Sequence, residues 1–309
     1  MEQGAERKLT RMSFLRASVY VCLLATAWVD VTLAQSKTIS CANCAEWNQP
    51  QAPFRIAGNT YYVGTHALSS LLITSNAGHI LVDGDLPQSA SQIAGNIRAL
   101  GFRVRDVKLI VNSHVHFDHA GGIAELQRLT GARVVASAWS AAVLKNGGMG
   151  RGDPQYGTSP GIAAVQNVST LRDGESFHVG TTVITAHLTP GHTPGGTSWT
   201  WKSCDGAKCY DMVYADSLSP ISSPEFRFTK SREYPQVLAD FEKSFRFLEA
   251  VPCDILITPH PELAGLWDHL AARERGAEAN PMVDSGACRQ LAADAREHLR
   301  ERVASENKR

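Results

Sequence analysis

Apolar residues along this chain fall into short runs of two kinds, some alternating with period two and some with helical spacing. Residues 60–64, 69–75 and 79–83 are apolar runs separated by turn residues (Gly64, Asn76-Ala77-Gly78 and Gly84), which predicts a β-meander. Residues 88–100 have helical spacing and stop at Gly101. The run Val107-Lys108-Leu109-Ile110-Val111 is rich in β-branched side chains and predicts a buried strand over 108–112. A helix from Ile123 through Leu129, a strand over 133–136 and a short helix over 139–145 follow. Strands are expected again over 177–179, 182–188, 197–201 and 212–215, then an amphipathic helix over 234–249 and a strand over 255–258. Two more helices, 266–278 and 287–305, complete the pattern.

Two stretches break it. Residues 46–53 are an extended, proline-punctuated lead-in. Residues 146–167 hold Gly147-Gly148, Gly150, Gly152-Asp153-Pro154 and Pro160-Gly161, and a loop of that length within a compact domain is a functional lid or a disordered segment. Strands and helices mix in both halves with no linker, so residues 35–309 are expected to form one mixed α/β domain.

The first 34 residues depart from this pattern. Arg7, Lys8, Arg11 and Arg16 precede an apolar run from Val19 to Val29, and Thr32-Leu33-Ala34 resembles a small-residue cleavage site. The run is short for a membrane span. Residues 1–34 are therefore expected to be a signal peptide, with Met12 an alternative start, and the protein periplasmic or secreted, with no stable membrane association after cleavage. An uncleaved anchor is the competing reading.

Composition adds mostly exclusions. The chain has 309 residues, of which 43% are hydrophobic and 19% charged, with 30 basic and 30 acidic residues. A formal net charge of zero gives no electrostatic argument for nucleic acid or acidic membranes, and a monomer is expected. Of seven cysteines, Cys22 lies in the expected signal, which leaves an even six. Cys204 and Cys209 flank a turn-like insert and could close a hairpin loop. Cys253 and Cys288 could staple the last helix to the sheet, adding about 3–4 kcal/mol. Cys41 and Cys44 form either a structural bridge or free thiols.

The chemistry lies in His114-Val115-His116-Phe117-Asp118-His119, directly after the strand of residues 108–112 and before the helix starting near Ile123. α/β folds place their sites at such strand ends. A single histidine there is commonly structural; three with an interposed aspartate are hard to satisfy without a cation, and nitrogen and oxygen donors suit zinc. Thr189-Pro190-Gly191-His192-Thr193-Pro194-Gly195-Gly196 and Thr258-Pro259-His260-Pro261 each present one histidine on a backbone stiffened by proline at a strand end. Alone, each would read equally well as a structural loop. Beside the first cluster both become candidate ligands. His66, His79, His178, His187, His269 and His298 are given no role.

Taken together, His-x-His-x-Asp-His, Gly-His-Thr-Pro-Gly, Tyr214-Ala215-Asp216-Ser217 and Pro-His-Pro resemble the metallo-β-lactamase superfamily, and in order and spacing its subclass B3. The resemblance runs from about Trp47 to Asp268. It implies an α/β (α+β) fold of four layers, an αβ/βα sandwich, with a dinuclear zinc site along one edge. By the same resemblance His114, His116 and His192 would bind a first zinc, and Asp118, His119 and His260 a second. A Cys binds the second zinc in subclass B1 where Ser217 stands here, and Asn replaces the first histidine in subclass B2 where His114 stands here.

The implied activity is hydrolysis of the β-lactam ring of penicillins, cephalosporins and carbapenems, conferring antibiotic resistance. Zinc lowers the pKa of bound water to about 7, and a hydroxide held between two zincs and oriented by Asp118 would attack the lactam carbonyl. Ser217 and Ser219 resemble serines that contact the substrate carboxylate, although turns favour serine for conformational reasons too. Gln155 could reach over the cleft or be an ordinary loop residue. Asp216 either bridges both metals, as in glyoxalase II and lactonases, or hydrogen-bonds locally, which the B3 pattern favours. The alternatives are a same-fold hydrolase of a thioester or lactone, and a non-catalytic zinc-binding module. The module fits poorly, because structural zinc sites are closed and usually thiolate-rich.

Overall fold

A computed structural model describes residue 1, residues 38–277 and residues 280–308. The expected signal peptide falls, apart from Met1, outside the described residues. Residues 35–309 form one compact unit, built on two β-sheets.

The first sheet runs in order through β1 (Phe54–Ala57), β2 (Thr60–Tyr62), β3 (Leu71–Ser75), β4 (Gly78–Val82), β5 (Val107–Val111), β6 (Arg133–Ala136) and β7 (Val168–Thr170). Its first four strands are antiparallel hairpin neighbours, and β4 through β7 are parallel. The second sheet holds β8 (Ser176–Val179), β9 (Thr182–Leu188), β10 (Thr197–Asp205), β11 (Lys208–Tyr214) and β12 (Ile255–Ile257). It is antiparallel except for the β11–β12 pair. The helices are α1 (Cys44–Trp47), α2 (Ala90–Ala99), α3 (Phe117–Ala120), α4 (Ile123–Thr130), α5 (Ala138–Asn146), α6 (Val237–Ala250), α7 (Leu266–Glu274) and α8 (Ala287–Asn307).

The layers follow from the period of two along each strand. Ile80 and Val82 of β4, with Leu109 and Val111 of β5, face Trp199, Met212, Tyr214 and Ile257 of the other sheet across a shared core. Their neighbours Leu81 and Ile110 point the opposite way, onto Ile93 and Ile97 of α2 and Leu126 of α4. On the far side, Val213 and Leu256 pack against Phe241 and Phe245 of α6 and Ala292 of α8. The result is helix, sheet, sheet, helix, the four-layer αβ/βα sandwich that the sequence resemblance implies. Parallel strands buried on both faces need apolar residues nearly throughout, and β4 and β5 supply them apart from His79 and the exposed Lys108 near their starts.

Several boundaries differ from the expected ones. Strands β10 and β11 extend through Asp205 and from Lys208 as one hairpin, in which Cys204 pairs with Cys209. The helix expected from residue 234 starts at Val237; before it, Ser231 Oγ accepts from Tyr234 N and Pro235 has no N–H to give. The helix expected over 266–278 ends at Glu274, followed by a turn with Gly276 at φ +80°. Strands β1 and β7 and the one-turn helices α1 and α3 are too short to show a period. The sulfurs of Cys41 and Cys44, Cys204 and Cys209, and Cys253 and Cys288 lie at bonding distance. Among the described residues no helix is long and apolar enough to cross a membrane.

Candidate metal centre

Strand β5 ends in a segment that changes conformation halfway. The chain bends at Ser113, and His116, itself extended, then caps the single turn α3, its carbonyl accepting from the N–H groups of His119 and Ala120. His114 and His116, two apart in extended chain, bring their rings together with centroids 4.7 Å apart. Asp118 and His119 lie on the helical turn, with the His119 ring 4.5 Å from that of His114.

Beneath this segment lies a buried buttress. Asp83, with a left-handed backbone at φ +58°, accepts from Ser113 N (2.7 Å), Ser113 Oγ (2.6 Å), Asn112 Nδ2 (3.0 Å) and Tyr214 OH (2.9 Å). A non-glycine residue in that region costs energy and is kept only where its surroundings over-determine it. Gly122 packs so closely on the same bend that a Cβ there would lie 2.1 Å from the Gly84 carbonyl oxygen.

His192 comes from the β9–β10 connection and His260 from the end of β12. Gly196 in the first of these sits where a Cβ would lie 2.4 Å from Asp216 Oδ2. Two three-donor groups result: His114, His116 and His192, all buried, and Asp118, His119 and His260, of which His260 is half-buried. Within each, the donor atoms lie within 4.8 Å of one another.

The hydrogen bonds on the outer nitrogens decide what the inner ones offer. His114 Nδ1 donates to Asp216 Oδ1 at 2.7 Å, leaving a lone pair on Nε2, which is buried with no hydrogen-bond partner among the described residues. His192 Nδ1 donates to the Ser219 carbonyl at 2.8 Å, so its Nε2 also carries a lone pair. His116 Nε2 donates to Asp153 at 2.9 and 3.1 Å, and its Nδ1 lies 3.2 Å from His192 Nε2. A proton on His116 could bridge that last contact, but no group among the described residues serves His114 Nε2.

Three converging nitrogens fit a cation. Bonds of about 2.0–2.1 Å in a tetrahedral zinc site put ligand atoms roughly 3.3 Å apart. The second group has the same spacing, with Asp118 Oδ2 3.2 Å from His119 Nε2 and 3.4 Å from His260 Nε2. The donor chemistry thus fits a divalent metal in both groups.

Protonation agrees. Burial, reinforced by the neighbouring imidazoles, holds His114 well below its ordinary pKa and pushes His192 down to about 3, so both rings are neutral and able to ligate. Burial alone would raise Asp118, but His119 and His260 outweigh it and hold the carboxyl well below the usual range. Burial likewise opposes a charge on His116, yet Asp153 prevails and raises it.

Around these groups, Ser219 stands against His192, its Oγ 3.3 Å from Nδ1. Ser217 is buried beside it in sequence. Gln155 Nε2 lies 3.5 Å from His116 Nδ1, at the outer limit for a hydrogen bond. Asp216 bonds both locally and at long range: its carboxyl accepts from the Ser217 backbone N–H and reaches from the end of β11 to His114, 102 residues away. Sequence reasoning assigned no part to Asp153, whose only signal was its place in the glycine-rich loop. Trp47 was also passed over; its ring lies 5.4 Å from that of His260 and 6.1 Å from that of Phe117.

Comparison with known proteins gives consistent relatives. The family model described as the metallo-beta-lactamase superfamily matches residues 63–269. The solved structure of the Rm3 metallo-beta-lactamase is 54% identical, with a TM-score of 0.85 over 87% of this chain and 100% of that one. MEM-A1, a subclass B3 metallo-beta-lactamase isolated from a soil metagenome library, is 49% identical, with a TM-score of 0.82 over 85% of this chain and 99% of that one. Among curated proteins, a hydroxyacylglutathione hydrolase of Maricaulis maris (strain MCS10) is 30% identical over 145 residues, 46% of this chain. The match spans only 43% of that relative's own length.

Proposed function

The chain belongs to the metallo-β-lactamase superfamily, and on that premise we propose that it is a subclass B3 enzyme that uses two zinc ions to hydrolyse the β-lactam ring of penicillins, cephalosporins and carbapenems. The observation that carries this reading is the extent of likeness. The Rm3 and MEM-A1 β-lactamases match over 87% and 85% of this chain, whereas the thioester hydrolase matches over 46%. Donor groups made only of His and Asp support the B3 assignment.

In this reading His114, His116 and His192 hold the first zinc, and Asp118, His119 and His260 the second. Zinc bound there supplies Lewis acidity and lowers the pKa of water to about 7. Asp118, kept ionised, accepts a hydrogen bond from the attacking water and so orients it. Asp216, Asp153 and the Ser219 carbonyl hold the three imidazoles in the tautomers that ligation requires. The Ser217 and Ser219 hydroxyls donate to the substrate carboxylate, directly or through water, and Gln155 lies over the cleft from the 146–167 loop. All six donors come from one chain, which suits a monomer. Residues 1–34 act as an export signal, residues 35–309 are the mature domain, and the three cysteine pairs oxidise outside the cytoplasm.

Steady-state turnover of a penicillin, a carbapenem and a thioester, before and after dialysis against chelator, tests the proposal. Lactam hydrolysis should dominate, vanish on dialysis and return with zinc. Turnover of the thioester alone would overturn it, as would full activity in metal-free protein.

A further inference from the structure

The outer nitrogens of the first group are held by three different parts of the chain. Asp216 directly follows β11, and Ser219 lies three residues further on. Asp153 sits in the 146–167 loop, which beyond Asn146, the last residue of α5, contains no helix or strand, only an isolated bridge between Gly148 and Ile162. We propose that Asp153 is a positioning residue that couples docking of this loop to metal binding by His114, His116 and His192.

Three observations support the coupling. Both carboxylate oxygens of Asp153, a residue only 3% exposed, face His116 Nε2, and they select the tautomer whose Nδ1 lone pair points at the other two histidines. The same carboxylate organises the loop, with Oδ1 accepting from Gln155 N at 2.8 Å and the Asp153 carbonyl accepting from Tyr156 N at 3.0 Å. The adjoining residues are tied down on either side: the Pro154 carbonyl accepts from Ser223 N at 2.8 Å, and the Arg151 carbonyl from Trp139 Nε1 at 3.3 Å. The loop cannot lift without turning His116 loose. By reciprocity, whatever the docked loop adds to metal affinity, the metal adds to docking.

This inference rests on the metal-centre reading but not on the choice of substrate. Its test uses two readouts that need no turnover. One is zinc affinity by chelator competition in the full protein, Asp153→Ala and Asp153→Asn. The other is the rate of tryptic cleavage at Arg151–Gly152, where Arg151 is exposed but Gly152 and Asp153 are buried.

Zinc should slow cleavage of the wild type about tenfold or more. Asp153→Ala should bind at least one zinc about 10–100-fold more weakly, the usual loss when the group behind a ligating histidine is removed, and should lose the protection. Asp153→Asn, which keeps one acceptor oxygen, should fall between. Wild type that binds no zinc refutes the metal-centre reading itself. Wild type that binds two zincs yet is cleaved at one rate with and without them refutes only the coupling, whatever the variants do. So does Asp153→Ala with wild-type affinity.

Discussion

The two donor groups share one six-residue segment, yet they are supported differently. In the first, every imidazole has a partner behind it, drawn from a strand end, a long loop and a main-chain carbonyl. In the second, His260 makes a backbone hydrogen bond to Ala67, but His119 Nδ1 is buried with no hydrogen-bond partner among the described residues. The first group is three buried imidazoles with no carboxylate among the donors; the second contains a carboxylate and opens at His260. A neutral cage keeps a bound cation strongly electrophilic, whereas the carboxylate of the second group offsets part of the charge. The difference teaches that neighbouring sites on one loop can have unequal rigidity, because rigidity is set by residues far away in sequence.

That asymmetry predicts unequal mutational effects. Removing a first-group ligand is the most damaging: His114→Ala should lower kcat/KM by about 10³-fold or more, about 4 kcal/mol, with metal content falling from two equivalents. His260→Ala should spare the first group, retaining about one equivalent with a smaller rate loss. Equal metal loss in both variants would erase the distinction.

Next comes Asp216→Ala. It leaves all six donors intact but frees the His114 ring, and should weaken zinc binding about 10–100-fold by chelator competition. An unchanged affinity would mean that the outer hydrogen bonds are not what sets the two groups apart.

The smallest effect on activity tests how far the support of the first group extends. Ser219 belongs to a segment fastened by the last turn of α8: Arg302 donates to Ser222 Oγ and to the Pro220 and Phe226 carbonyls, and Glu306 accepts from Phe228 N, Thr229 N and Thr229 Oγ1. Burial would raise the Glu306 carboxyl, but these donors outweigh it and hold it below its usual range. A depressed folded pKa stabilises above the unfolded value, about 4.3, and that stability is lost as pH falls through the folded value. Glu306→Gln should therefore cost about 1–3 kcal/mol at neutral pH, with the gap to wild type in urea melts closing below about pH 4. Zinc affinity should stay within about twofold. A tenfold loss would show the helix end to be part of the metal site's support.

The two candidate donor groups were legible because metal ligation concentrates unusual residues at strand ends: three histidines and an aspartate in six positions have no ordinary structural use. The two-sheet layering was not legible from periodicity, since β4 and β5 are apolar on both faces and do not say what covers each one. Only the resemblance supplied it. Asp153 escaped, and Asp216 was singled out without its histidine partner, because a carboxylate behind a histidine leaves no local mark; the partners are 37 and 102 residues apart. Serines 217 and 219 were noticed for their hydroxyls, yet the clearest contact from that pair is a main-chain carbonyl, which no side-chain reading anticipates.

Gly122 and Gly196 give the motifs a second layer of meaning. Both lie just past signatures that read as metal chemistry, and neither offers a donor; each lacks a Cβ because another backbone or carboxylate already occupies that volume. In a saturation library selected for antibiotic survival, these positions would score as sensitive as His114, although their variants would fail by expulsion of a neighbour rather than by loss of a ligand. On the proposed function, adaptive variation under drug pressure would thereby be channelled away from these glycines and the donor residues they adjoin.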